Sequence, residues 1–86
     1  MTTITIHELT GERRQWTSSH RTADEGEATE LAVRRQFGRT YGFRQDSGLP
    51  RGYGSIVRNL SSRERGSGST RSAEVVIGRA RIDVEG

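Results

Sequence analysis

Residues 22–38, TADEGEATELAVRRQFG, decide how the rest of the chain is read, because they carry the marks of one helix from start to stop. Thr22 followed three residues later by Glu25 reads as a capping box, in which the hydroxyl accepts a free amide of the first turn and the carboxylate reaches back to the cap's own N–H. Asp24, Glu25 and Glu27 crowd the first turn and Arg34 and Arg35 the last, the charge order that a helix macrodipole favours. Gly38 is the stop: a glycine takes the positive φ that ends a helix, and the next residues, RTYGFR, change to a period of two. The apolar stripe is Ala28, Leu31 and Ala32, with Arg35 nearly in line and Val33 and Phe37 at its flank. Alanines on that stripe predict close packing against a sheet.

The flanking sequence supplies the strands of that sheet. Toward the N-terminus, Thr2 to Leu9 alternates, with Ile4 and Ile6 facing one way and Thr3, Thr5 and His7 the other. Thr10, Gly11 and Glu12 form a turn, and Arg13 to Ser19 returns as a second strand whose one large apolar side chain, Trp16, is expected to cover the helix face. Beyond the helix, Arg39 to Gln45 reads as a third strand with Tyr41 and Phe43 on one side, DSGLP (46–50) as a turn, and RGYGSIVR (51–58) as the returning fourth strand. Residues 61–72, SSRERGSGSTRS, contain no apolar side chain and are expected to form a flexible loop. Ala73 to Val84 resumes as a long last strand, with Val76, Ala80, Ile82 and Val84 on one face and Arg79, Arg81 and Asp83 on the other. The expected architecture is a single small α+β domain spanning 1–86. It has one antiparallel sheet of four to five strands, one helix packed on one face, and the other face open.

Composition narrows the function. Leu, Ile, Val and Phe number 16 of 86 residues, just under the roughly 20% below which a packed core becomes hard to build. Without cysteine there is neither a disulfide framework nor a thiolate metal site. The longest apolar run, Val75 to Ile77, is far too short to span a membrane, and no apolar leader follows the start, so the expected location is cytoplasmic. His7 and His20, the two histidines, are not at a metal-ligand spacing, and no nucleophile elbow or zinc-protease motif occurs. The expectation is a protein with no catalytic residues, no cofactor and no metal.

Charge points to a binding surface. All 14 basic residues are arginine, set against 11 acids for a net charge of +3. Arginine's planar fork grips phosphate and carboxylate through two hydrogen bonds, as suits nucleic acid or an acidic protein face, while a GC-rich genome would also enrich it. The arginines of the hairpin and last strand are expected to converge on the helix-free face. The candidate binding residues are Arg39, Arg44, Arg51, Tyr53, Arg58, Arg79 and Arg81.

Two resemblances follow. Residues 51–58 are similar to the octamer motif of RNA-recognition modules, matching at Arg51, Gly52, Tyr53, Gly54 and Ile56, and residues 4–9 to their hexamer motif at Ile4, Ile6 and Leu9. Thr5, Ser55 and Arg58 stand where that family has aromatics, and the polar 61–72 segment stands where its second helix belongs. That resemblance implies direct binding of single-stranded nucleic acid. In size, charge and order of elements the whole chain resembles some small phage anti-CRISPR proteins that act on the type I surveillance complex, Cascade. This second resemblance implies a stoichiometric inhibitor in the host-cell cytoplasm that blocks target DNA. Its partner would be a CRISPR-Cas surveillance complex or another nucleic-acid-binding assembly, with no membrane involved and the protein itself a monomer.

Overall fold

A computed structural model describes residues 1–61, 63 and 73–86. The chain runs β1 (Thr2–Glu8), β2 (Gln15–His20), α1 (Glu25–Phe37), β3 (Tyr41–Gln45), β4 (Tyr53–Asn59) and β5 (Glu74–Glu85). The five strands form one sheet in the order β2-β1-β5-β4-β3, and every neighbouring pair is antiparallel. This is an α+β fold with the helix on one face. The expected loop at 61–72 lies outside the described residues except for Ser61 and Arg63.

The long last strand closes the sheet. It inserts between the two hairpins, pairing with β1 along Ala80–Glu85 and with β4 along Glu74–Arg81. Neither hairpin has more than two strands alone, and a two-stranded hairpin is at best marginally stable in water. Joined through β5, they present Ile4, Ile6, Ile56, Ala80 and Ile82 to Ala28, Ala32 and Val33 of the helix. Trp16 packs edge-on against Phe37 at 6.5 Å between ring centroids, and Phe37 in turn meets Tyr41 at 6.1 Å, so the aromatics seal the helix's C-terminal end. Trp16 also donates its indole N–H to Glu8 Oε2 at 2.8 Å, which satisfies the ring's one polar group.

Three local details differ from expectation. The helix N-cap is Asp24, whose Oδ1 accepts the Glu27 N–H at 3.0 Å. Thr22 lies two residues upstream, where its hydroxyl accepts the Asp24 N–H at 3.1 Å and donates to Glu27 Oε2 at 3.3 Å. A carboxylate beside a helix N-terminus gains from the macrodipole as well as from the hydrogen bond, so Asp24 is the stronger cap. The buried stripe is also rotated: Ala28, Ala32 and Val33 are in the core, whereas Leu31 is half-buried. Finally, β5 carries a bulge, because Ile56 pairs with Gly78 but Val57 with Val76, leaving Ile77 extra. The bulge reverses the side-chain alternation, and Val76 leaves the core face to stand 59% exposed.

Candidate functional site

Alternation along each strand divides the residues between the two faces. The face opposite α1, helix-free in the sense that α1 does not pack on it, carries Thr3, Thr5 and His7 from β1, Gln15 and Thr17 from β2, Tyr53, Ser55 and the buried Val57 from β4, and Arg79, Arg81 and Asp83 from β5. Strand pairing sets Gln15, His7, Arg81 and Tyr53 in one row across four strands, since Gln15 opposes His7, His7 opposes Arg81, and Arg81 opposes Tyr53. Tyr53 is the one aromatic on this face among the described residues.

The row is tied together by charge. Asp83 Oδ2 lies 2.6 Å from His7 Nε2 and 3.2 Å from Arg81 Nη2, so one oxygen serves two cationic or hydrogen-bonding groups. A hydrogen bond to Tyr53 and the nearby Asp83 charge raise the Arg81 pKa above its ordinary value. Partial burial alone would push Asp83 upward, but the His7 hydrogen bond and the Arg81 charge outweigh it and hold the carboxyl below its ordinary value. Arg81 Nε is enclosed without a hydrogen-bond partner. One row away, Arg79 pairs with Asp46 at 3.2 Å, and Asp46 also accepts from the Ser55 hydroxyl at 3.4 Å.

The seven expected binding residues do not all converge. Tyr53, Arg79 and Arg81 share the helix-free face, and Arg44, which leaves β3 on the side opposite Phe43, contacts Glu30 at 3.4 Å and Glu74 at 3.1 Å. Arg51 instead reaches Glu25 in the first turn of the helix, at 2.6 Å, and so works on the helix side. There it borders a cleft of about 520 Å³ whose other lining residues include Phe43, Ile82 and Val84. Arg58 opposes Tyr41 and shares the side of Ile56, so alternation points it to the helix side as well. Arg39 is exposed in the connection between α1 and β3. The hairpin turns the chain through Gly52, at φ 97°, and this throws Arg51 off the face that Tyr53 occupies.

Residues 4–9 and 51–58 also lie farther apart than base stacking on neighbouring strands requires. β5 separates β1 from β4, a distance of roughly 10 Å at two strand spacings. Gly52 and Gly54 have a packing role here. A Cβ on Gly52 would come within 2.7 Å of the Ile82 carbonyl oxygen, and one on Gly54 would collide with the Arg44 carbonyl and the Phe43 ring. His7, Asp83 and Asp46 are members of the site that the arginine pattern did not single out. Asp83 was legible as a same-face neighbour of Arg81, but its contact with His7 spans 76 positions and depends on β1 pairing with β5.

Among the described residues no group of three or more histidine, aspartate or glutamate side chains is placed to hold a metal ion, and no helix is long and apolar enough to cross a membrane. The chain matches no family model, no curated protein and no solved structure.

Proposed function

We propose that this chain is a non-catalytic binding protein that works through the helix-free face of its sheet, as an inhibitor occupying the DNA-binding surface of a type I CRISPR surveillance complex. The observation that carries the reading is the row of His7, Arg81 and Tyr53 crossing three strands, locked by Asp83 on a face the helix does not cover. A row held this way is organised before a partner arrives, so less side-chain entropy is lost on binding. The aromatic and the arginine are also the residue types that dominate protein interfaces.

The acid partners favour a protein over naked nucleic acid. Arg44, Arg79 and Arg81 each have a carboxylate within 3.4 Å, and a phosphate backbone would have to compete with those carboxylates. A surface built to hold DNA presents its own arginines and lysines. Asp83 and Asp46, interleaved with Arg81 and Arg79, offer such a surface charge of the opposite sign.

The test is co-purification of the wild type and of a Tyr53→Ala/Arg79→Glu double variant with Cascade, alongside electrophoretic shifts with free DNA and RNA. Capture of the wild type and loss of the double variant is the expected result, with Arg51→Glu retained because it acts on the helix side. Capture of neither, or undiminished capture of the double variant, would refute the site. A shift with free RNA or DNA and no capture by Cascade would move the assignment to a nucleic-acid-binding module.

A further inference from the structure

The two outer strands of the sheet end differently. In β3, Asp46 donates to the Tyr53 carbonyl and Asn59 to that of Thr40, so the alternation of the antiparallel ladder turns the backbone groups of Tyr41, Phe43 and Gln45 outward. Side chains close that edge at its centre. Glu30 Oε1 accepts the Phe43 N–H at 3.3 Å, and Arg44 Nη1 donates to the Phe43 carbonyl at 3.2 Å. In β2, Glu8 donates to the Arg14 carbonyl at 2.8 Å, so by the same alternation Trp16, Ser18 and His20 bond to β1 and Gln15, Thr17 and Ser19 turn their backbone groups outward. Nothing among the described residues pairs with those groups. Even the nearby hydroxyls are engaged with β1, Thr17 with Thr5 at 3.3 Å and Ser19 with Thr3 at 2.8 Å.

Residues 62–72 attach too far away to cover this edge. They join the fold at Ser61 and Ala73, and Ala73 is ten residues along the chain from Asp83, which pairs through Thr5 to the level of Thr17, a separation of roughly 30 Å. An eleven-residue connection closed at those anchors extends outward by roughly 20 Å at most. Charge around the edge is unbalanced. Arg13 and Arg21 flank β2, and Arg35 reaches it from the helix, its Nη1 3.4 Å from the Ser18 hydroxyl. All three are exposed and none has a carboxylate partner among the described residues, unlike Arg44, Arg51, Arg79 and Arg81. Leu31, one turn before Arg35 on the same side of the helix, is only half-buried.

An open edge of this kind is a template for strand pairing. We infer that β2 takes up an extended acidic segment of a partner protein by strand addition, with backbone hydrogen bonds to Gln15, Thr17 and Ser19 and carboxylates against Arg13, Arg21 and Arg35. A second copy of this chain fits poorly. Antiparallel self-pairing about Thr17 sets Arg13 of each copy opposite Arg21 of the other, and like charges directly opposite are destabilising. Nucleic acid fits poorly as well, because phosphates only accept hydrogen bonds and would leave the three outward carbonyls unmatched. The charges that keep two copies apart are thus the ones that admit an acidic strand. This surface lies at the edge of the sheet and not on its helix-free face, so it stands or falls independently of the partner proposed above.

The probes are a synthetic peptide of alternating valine and threonine with two acids at each end, the same peptide with lysines in place of the acids, and oligothymidylate. Each is added to the isotope-labelled full chain, and amide hydrogen exchange is read residue by residue. In the free chain Gln15, Thr17 and Ser19 are expected to exchange faster than Trp16 and Ser18, whose N–H groups bond β1. Saturating acidic peptide should slow the first three about tenfold or more, and the basic peptide and oligothymidylate should leave them unchanged. Arg13→Glu/Arg21→Glu, at exposed positions, should keep the thermal melt of the wild type and weaken the acidic peptide about tenfold. Thr17→Pro removes one outward N–H without touching the β1 ladder and should abolish the protection; the charge-reversed variant decides the matter if the proline prevents folding. No slowing at millimolar acidic peptide, or equal slowing by the basic peptide or oligothymidylate, would overturn the inference. So would undiminished binding by the charge-reversed variant, or protection in the free chain that rises with its own concentration, which would mean that a second copy occupies the edge.

Discussion

Replacing Asp24 by alanine isolates the interaction that starts the helix. Asp24 Oδ1 is the acceptor for the Glu27 N–H at 3.0 Å, and the residue's carboxylate sits at the positive end of thirteen aligned residues. Loss of a cap of this type costs about 1 kcal/mol, within a range of roughly 0.5–2. The site is exposed, so the macrodipole adds only a few tenths of a kcal/mol at moderate salt. In a domain of this size about 1 kcal/mol corresponds to a fall in melting temperature of roughly 4–8 °C. Thr22→Ala removes a different contact, the acceptor for the Asp24 N–H at 3.1 Å, and leaves the helical amide capped. Its effect should be smaller than that of Asp24→Ala. Melts followed by circular dichroism at neutral pH would measure both. If Thr22→Ala lowered the midpoint more than Asp24→Ala, the helix would start at Thr22 after all, and the cap geometry described above would be wrong.

Val33→Ala removes fully buried carbon from the core and should cost about 2 kcal/mol, more than Leu31→Ala, whose side chain is only half-buried; urea melts of the two variants would establish the order. Gly54→Ala should destabilise far more than an ordinary exposed substitution, because the new methyl would meet the Arg44 carbonyl and the Phe43 ring; its midpoint close to that of the wild type in a thermal melt would mean the β3–β4 pair has slack to spare. Asp83 has a lowered pKa in the fold, so the stability it lends is complete above the ordinary aspartate range near about pH 3.9 and is lost as pH falls through the lowered value. Asp83→Asn should accordingly flatten the acid limb of a stability-against-pH curve; an unchanged limb would show that Asp83 is not a source of that dependence.

The local elements were legible because their signals are local. Alternating Ile4 and Ile6, the acid-to-base gradient along 24–35, the glycine at 38 and the paired Tyr41 and Phe43 each record a backbone period or a terminus within a few residues. The capping residue was misplaced by two positions because Thr22 and Asp24 are both good caps, and only the backbone conformation at Asp24, extended at φ −82° and ψ 114°, decides between them. Leu31 and Val33 were exchanged for a similar reason. Residues on neighbouring sides of a helix compete for the sheet, and which side wins is set by the crossing angle and not by the helix sequence.

For the site, the sequence by itself determined which residue types were available and which alternated together, so Arg79, Arg81 and Asp83 were correctly placed on one face. Only the tertiary structure decided who their neighbours are. By inserting β5 between the hairpins, it set Arg81 between His7 and Tyr53, brought Asp46 to Arg79 and separated the two motif-like strands. It also turned Arg51 and Arg58 away from that face, the first through the positive φ at Gly52 and the second through simple alternation with Val57. The physical reason is that strand order arises from long-range pairing, whose free energy is shared among many weak contacts far apart in the chain, and no short stretch of residues encodes it.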